Sequence, residues 1–285
     1  MGFPPSGKWT GEAVALNRFV ADRQVRRLPG SGVRYLVSGT VGPPLLILNG
    51  GTLVADTAAP LVTLFEDRFR TFTPWHPPLS TMAARVDVLL ELLDQEGIGQ
   101  IAVLGQSFGG TLAQALLVHA PEHVTKVVLS ATGSPMLSDA THDALRQANV
   151  TRADLSDAVM MSETKTQLSG FLPREPALNR FWTAVLDDLF DHVLSAEDVR
   201  AFHVSSVDFF TNYADRTRDY AAWQGDALIV RADDDPALAV VDPTQLDSLF
   251  SRVLVHHFAT GGHMVSVTQR EPFRDVVTDF LLNNE

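Results

Sequence analysis

The chain has 285 residues, of which 45% are hydrophobic and 20% charged, a composition typical of globular enzymes. Its formal net charge of −12 argues against a nucleic-acid partner and against an anionic membrane surface. The absence of cysteine excludes disulfides, thiolate metal sites and a cysteine nucleophile. Residues 1–5 lack the basic and apolar regions of a secretory signal, and no apolar run is long enough to span a bilayer. We therefore expect a cytoplasmic protein without a membrane partner.

Short apolar runs alternate with helical patterns along most of the chain. The predicted strands are 25–28, 33–37, 44–48, 69–73, 101–104, 124–130, 227–231 and 253–258. The first two flank a Pro-Gly-Ser-Gly turn and predict an antiparallel hairpin. Helical spacing predicts helices over 13–23, 57–67, 81–95, 112–119, 243–250 and 271–282. Alternation of this kind implies an α/β fold with a parallel sheet and helices on both faces.

The alternation stops at residue 133 and resumes at residue 224. The intervening segment, 134–223, contains helical patterns over 179–194 and 197–213 and no clear strand. We interpret it as a helical cap inserted into a core domain formed by 1–133 and 224–285. Its apolar side chains are expected to cover a pocket for an apolar substrate, although ordinary helix packing would also explain most of them. The residues expected to contact substrate are Met160, Phe181, Trp182 and Phe210.

A glycine-rich turn after the strand 101–104 carries the clearest chemical signal. Residues 105–109 read Gly-Gln-Ser-Phe-Gly, the G-x-S-x-G pattern of a nucleophile elbow. In such a turn a Cβ at either glycine position would collide with the adjoining strand and helix. The turn lifts the hydroxyl of Ser107 above the sheet edge. It also leaves the N–H of Phe108 at a helix N-terminus, where it can stabilise an oxyanion.

A serine nucleophile needs a base, and nine histidines compete for that role. His263 lies between the last strand and the last helix, at the same sheet edge as Ser107. It is therefore the predicted base. The other histidines considered lie within a strand or at the opposite edge: His256, His257, His119 and His123.

The acid that orients the base is expected at the end of the preceding strand. Three candidates follow that strand in a row, Asp233, Asp234 and Asp235. A turn or helix cap would also explain such residues, and at least two of the three must have only that role. Spacing alone leaves the choice among them open.

The second oxyanion donor is expected in the loop after the strand 44–48. That loop begins Asn49-Gly50-Gly51, and its glycines let a backbone N–H come close to a substrate. We assign the donor to Gly51. A plain tight turn would require the same glycines.

These motifs resemble the α/β-hydrolase superfamily over nearly the whole chain. The matching segments are 50–51, 105–110, 232–236 and 262–264. The resemblance implies an α/β-hydrolase fold, with a mostly parallel eight-stranded sheet, helices on both faces and an inserted helical cap. The Asp-Asp-Asp-Pro stretch and the region 22–51 also look like bacterial relatives of maspardin.

The resemblance also implies roles for single residues. In the superfamily the acid strand usually ends in Gly-x-x-Asp, a pattern that indicates Asp235 as the triad acid, with Asp234 as the alternative. This chain has Ala232 where that glycine is usual, and Asn49 where a histidine is frequent. Serine at position 107, rather than aspartate, disfavours haloalkane or epoxide hydrolysis.

The implied activity is that of a serine hydrolase, with no cofactor or metal, acting on an ester, lactone or related small apolar carbonyl substrate. One alternative is hydrolysis of a C–C bond in a diketone-like substrate by the same triad. Another is a binding or scaffold protein that kept the fold without turnover. The absence of a concentrated set of Arg or Lys argues against a phosphate or coenzyme A group. The protein is expected to be a monomer or a homodimer.

Overall fold

The computed structural model describes residues 9–239 and 242–283, and its centre is one eight-stranded sheet. The strands are β1 (Gln24–Arg27), β2 (Arg34–Ser38), β3 (Pro44–Leu48), β4 (Arg70–Pro74), β5 (Ile101–Gln106), β6 (Val124–Ser130), β7 (Asp226–Ala232) and β8 (Val253–Phe258). They are ordered β1-β2-β4-β3-β5-β6-β7-β8. Strands β3 to β8 run parallel, and β1 and β2 are antiparallel to their neighbours. The predicted mostly parallel, eight-stranded sheet is confirmed.

Twelve α-helices surround this sheet in the described part of the chain. They are α1 (Ala15–Ala21), α2 (Ala59–Phe65), α3 (Met82–Glu96), α4 (Phe108–His119), α5 (Asp139–Ala153), α6 (Asp157–Ser169), α7 (Pro176–Asp188), α8 (Ala196–Asn212), α9 (Thr217–Ala222), α10 (Pro243–Asp247), α11 (Val265–Thr268) and α12 (Arg270–Leu282). No helix among these described residues is both long enough and apolar enough to cross a membrane. The N-terminal residues 1–5, considered above for a signal, lie outside the described residues.

Strand β3 shows why the central strands read as unbroken apolar runs. Its side chains from Leu45 to Leu48 are all at most 1% exposed. Leu46 and Leu48 pack in the apolar cluster formed with α3 and α4, whereas Leu45 and Ile47 pack in the cluster formed with α1, α2 and α12. Because both faces of the strand are covered, no position needs a polar side chain. The helices therefore lie on both faces of the sheet, as predicted.

Five helices, α5 to α9, occupy the segment between β6 and β7. The predicted helix 197–213 corresponds to α8, and the predicted helix 179–194 corresponds to α7 followed by a π-helical turn at Leu189–Val193. Two hydrogen bonds join α8 and the residue after it to the rest of the fold. The Asp208 carboxylate accepts the N–H of Met82 at 2.8 Å, and the Tyr213 hydroxyl lies 2.7 Å from His119 Nε2. The division of the chain into a core and a separate cap domain stays a prediction.

Outside the segment 134–223, two predicted helix ends differ from the observed ones by more than two residues. Helix α4 begins at Phe108 rather than at residue 112, because the glycines of the elbow are already helical. Helix α10 ends at Asp247, three residues before the predicted end. The buried Leu249 and Phe250 continue the apolar pattern past that end, although they are not helical.

Candidate active site

Ser107 lies at the sharp turn between β5 and α4, with φ 53° and ψ −122°. A Cβ on Gly105 would come within 2.6 Å of the carbonyl oxygen of Gly109. A Cβ on Gly109 would lie 2.0 Å from the carbonyl oxygen of Leu48. These distances are far shorter than van der Waals contact, so both positions require glycine. The close approach of β3, β5 and α4 holds Ser107 in a backbone region that residues with side chains rarely adopt.

The side chain of His263 reaches Ser107 from the loop that follows β8. The Ser107 hydroxyl donates to Nε2 of His263 over 2.8 Å, in the tautomer that carries its proton on Nδ1. The two residues are 156 positions apart in sequence. Since the carboxyl ends of parallel strands share one sheet edge, β5 and β8 bring both loops to the same place.

The three consecutive aspartates have three different partners. Asp235 is 5% exposed, and both of its carboxylate oxygens lie 3.0 Å from Nδ1 of His263. The N–H of Ala237 also donates to Asp235, at 2.8 Å. These bonds hold the carboxylate against the imidazole. Of the two aspartates that the family resemblance indicated, it is Asp235 that contacts His263.

The two other aspartates take separate positions around this loop. Asp234 accepts the backbone N–H groups of Gly261 and Gly262 at 2.8 and 2.7 Å, in the loop that carries His263. The exposed Asp233 contacts His257 Nδ1 at 3.1 Å. No pattern in the sequence indicates the contact of Asp234 with the glycines, because that contact joins segments 27 residues apart.

The loop after β3 faces Ser107 from the other side. A Cβ on Gly50 would lie 3.0 Å from Cβ of Ser107, a tight contact that glycine avoids. Gly51 adopts a φ of 62° and has open space on the side where a Cβ would point. Asn49 is buried, and its amide donates to the carbonyl of Val54 at 3.0 Å and to the Thr57 hydroxyl at 2.7 Å. Asn49 thereby braces the loop that it begins.

Phe108 is the first residue of α4, so its N–H has no carbonyl partner within the helix. Both Phe108 and Gly51 line an apolar cavity next to Ser107. The cavity has a volume of about 210 Å³. Its apolar walls are Leu168, Phe171, Leu172, Trp182, Val185, Leu186, Leu189, Phe202 and Met264. No arginine or lysine of the described chain lines it.

Only Trp182 among the four residues expected to contact substrate lines this cavity. Phe181 precedes it on α7 and packs edge-on against its indole, with ring centroids 5.4 Å apart. Met160 is 1% exposed within the apolar cluster, and Phe210 packs against Phe209 at 5.3 Å. The pattern of apolar residues shows that a helix has a buried face, but it does not show which buried residues border a cavity.

A second chamber of about 200 Å³ adjoins Ser107 and His263. Phe171 borders both spaces, and its ring centroid lies 4.3 Å from that of His263. Phe171 comes from the short connection between α6 and α7, so that connection partly covers the histidine. Among the described residues, no group of three or more His, Asp or Glu side chains is arranged to hold a metal ion.

The sheet and the strand-to-helix turn at Ser107 together define an α/β-hydrolase fold. A family model described as alpha/beta hydrolase fold matches residues 43–269. The chain belongs to this family.

Solved structures of low sequence identity share the fold. A hydrolase from Pseudomonas aeruginosa PA01 is 19% identical, with a TM-score of 0.72 over 92% of this chain and 99% of the other. The enol-lactonase from Burkholderia xenovorans LB400 is 17% identical, with a TM-score of 0.70 over 91% of this chain and all of the other. Lipase LipV of Mycobacterium tuberculosis is 42% identical over 57 residues, which are 20% of this chain and 22% of that lipase. That match spans about a fifth of the lipase.

Proposed function

We propose that the protein is a serine hydrolase that cleaves an ester or lactone with an apolar acyl group. The observation that carries the proposal is the hydrogen-bonded chain from Ser107 through His263 to Asp235. Three segments distant in sequence meet there in the arrangement that acyl transfer needs. Their roles are nucleophile, base and orienting acid.

In the first half of the reaction, His263 Nε2 takes the proton of the Ser107 hydroxyl as the oxygen attacks the carbonyl carbon. The negative charge that develops on the carbonyl oxygen is stabilised by the N–H groups of Phe108 and Gly51. Asp235 keeps the imidazole in the tautomer with a free Nε2 and stabilises the imidazolium. The C–O bond to the alcohol then breaks, and His263 returns its proton to the departing oxygen.

In the second half, water replaces the alcohol. His263 removes a proton from the water as it attacks the acyl carbon, and the same two N–H groups hold the second oxyanion. The ester bond to Ser107 breaks, the serine oxygen recovers its proton from His263, and a carboxylic acid leaves. No step needs a cofactor, because every proton passes through His263.

The cavity supports an uncharged acyl group of modest size. Its walls are mainly apolar, and no arginine or lysine of the described chain lines it to hold a carboxylate or phosphate. Its volume of about 210 Å³ is below the range of about 300–1,000 Å³ usual for drug-sized ligands. Helices α6, α7 and α8 supply most of the apolar wall, so we propose that the segment 134–223 is a cap that selects the acyl group.

A panel of p-nitrophenyl esters of increasing acyl length tests this function. We expect turnover of short and medium chains, a fall for long chains, and loss of activity in Ser107→Ala. Ser130→Ala is the matched control, because Ser130 is fully buried on β6 beside the elbow and its hydroxyl has no hydrogen-bond partner in the described chain. Negligible rates across the panel would contradict the proposal and leave C–C hydrolysis or a non-catalytic role as the alternatives.

A further inference from the structure

The chamber of about 200 Å³ on the far side of Phe171 differs in character from the apolar cavity. It shares Ser107, Phe108, Phe171 and His263 with that cavity but not the loop at Gly50. Its other walls come from the ends of β6 and β7 and from the beginning of α4. Two distinct spaces therefore meet at the same hydroxyl and imidazole, as an ester with two unlike halves would require.

Three side chains that line this chamber each have a polar atom with no hydrogen-bond partner among the described residues. Thr111 is 8% exposed, and neither its hydroxyl nor that of Thr132 makes a hydrogen bond to a described residue. Arg231 is 5% exposed, and its Nε is buried without a partner. The hydroxyls of Thr111 and Thr132 are not fully enclosed by protein, unlike Nε of Arg231. Two unbonded and accessible hydroxyls on the wall of one chamber are available to bind a polar ligand.

The charges around the chamber indicate a neutral ligand. The guanidinium of Arg231 is already paired with the carboxylate of Asp247. Asp235, which also lines the chamber, is held against His263. The positive charge is thus matched, and a second anion would meet two nearby carboxylates. Hydroxyl and carbonyl groups can use the free donors without that repulsion.

We infer that this chamber receives the alcohol half of the substrate and selects a small, uncharged alcohol that carries an additional hydroxyl. The inference rests on the proposed ester hydrolysis and adds the class of leaving group to it. The apolar cavity takes the acyl group, and Thr111 and Thr132 bind the distal hydroxyl of the alcohol. His263, which borders both spaces, returns the proton to the ester oxygen between them.

Two esters of nearly equal shape test the inference, namely propyl butyrate and 2-hydroxyethyl butyrate. They differ only by a terminal methyl in place of a hydroxyl, and both release butyric acid. We expect kcat/KM for the hydroxyethyl ester to be about tenfold higher, the effect of one or two satisfied hydrogen bonds. Thr132→Val and Thr111→Val keep the side-chain shape and should each reduce that ratio. Thr132→Ser keeps the hydroxyl and should preserve it.

Thr73→Val is the matched control, because Thr73 is 1% exposed with an unpaired hydroxyl and lines neither space. The ratio should be unchanged in this variant. Equal rates for the two esters in the unmodified protein would overturn the inference and leave ester hydrolysis standing. A preference for the hydroxyethyl ester that persists in both Thr→Val variants would also overturn it. If neither these esters nor the p-nitrophenyl panel is hydrolysed, the proposed function itself fails.

Discussion

At the scale of single residues, Asp233, Asp234 and Asp235 have the same chemistry but different surroundings. Asp235 is buried against His263, Asp234 holds the glycine loop that carries the histidine, and Asp233 is exposed beside His257. A carboxylate that fixes the imidazole affects the proton transfers directly. One that holds the loop affects only the position of the imidazole. The three positions therefore predict three sizes of effect.

We expect Asp235→Asn to lower kcat by a factor on the order of 10⁴, because the imidazole then loses its correct tautomer. Asp234→Ala should lower kcat by about tenfold to 100-fold, since the released loop displaces the base. Asp233→Ala should change kcat by about twofold or less, as an exposed substitution does. Steady-state kinetics on one p-nitrophenyl ester measures all three. Equal effects at positions 234 and 235 would contradict the assigned roles.

At the scale of elements, the elbow depends on how closely β3 and α4 approach each other. The predicted collision at Gly109 is present in the structure, where a Cβ would lie 2.0 Å from a backbone oxygen of β3. Backbone cannot give way as a flexible side chain can. The helix or the strand would have to move.

Gly109→Ala should therefore lower the free energy of unfolding by at least about 2 kcal/mol, as overpacking of a rigid contact does. Urea titration followed by circular dichroism measures this loss. Gly99→Ala is the control, because a Cβ at position 99 would meet nothing within 4 Å. The free energy of unfolding of this variant should be unchanged or slightly higher. Similar stabilities for the two variants would contradict the close approach.

The helices between β6 and β7 contain an acid-sensitive contact. His203 on α8 is 7% exposed, and its Nε2 lies 2.8 Å from the hydroxyl of Thr164 on α6. Burial, together with the positive charge of Arg152, lowers the pKa of His203 to about 4. In the unfolded chain the pKa is about 6.5. Below pH 6.5 the unfolded chain therefore binds a proton that the folded chain does not, and stability is lost as the pH falls.

From pH 7 to pH 5 this histidine should remove about 2 kcal/mol from the free energy of unfolding. His203→Gln has no titratable ring and retains an amide that can bond Thr164. Between pH 7 and pH 5, we expect the free energy of unfolding of His203→Gln to fall by about 2 kcal/mol less than that of the unmodified protein. Urea titration at both pH values measures this difference. Parallel losses in the variant and the unmodified protein would show that the contact does not sense acid.

In the fold as a whole, the central strands could be predicted because burial on both faces leaves unbroken apolar runs. The meeting of Ser107 and His263 was also predictable, since loops after parallel strands share one edge. The partner of His263 was not fixed by spacing. That choice depends on backbone turns after β7, where neighbouring aspartates point in different directions.

The cavity walls were the least predictable part of the site. Helical periodicity marks a buried face, and on α7 that face includes Trp182. It does not show where two helices leave a gap. The pattern therefore does not separate Met160 and Phe210, which lie away from the cavity, from Leu168 and Phe202, which line it. Helices α5 and α6 were not picked out by their apolar pattern either. Helix α5 is mostly polar, and the apolar residues of α6 are spread around the helix rather than gathered on one face.

The proposed chemistry depends on activation of the Ser107 hydroxyl by the imidazole of His263. Reaction with a fluorophosphonate, followed by intact-mass measurement and peptide mapping, measures this activation. We expect one adduct per chain, located on Ser107, with labelling abolished in Ser107→Ala and slowed by orders of magnitude in His263→Ala. An adduct on another residue, or labelling of Ser107 at an unchanged rate without the histidine, would contradict the proposed chemistry.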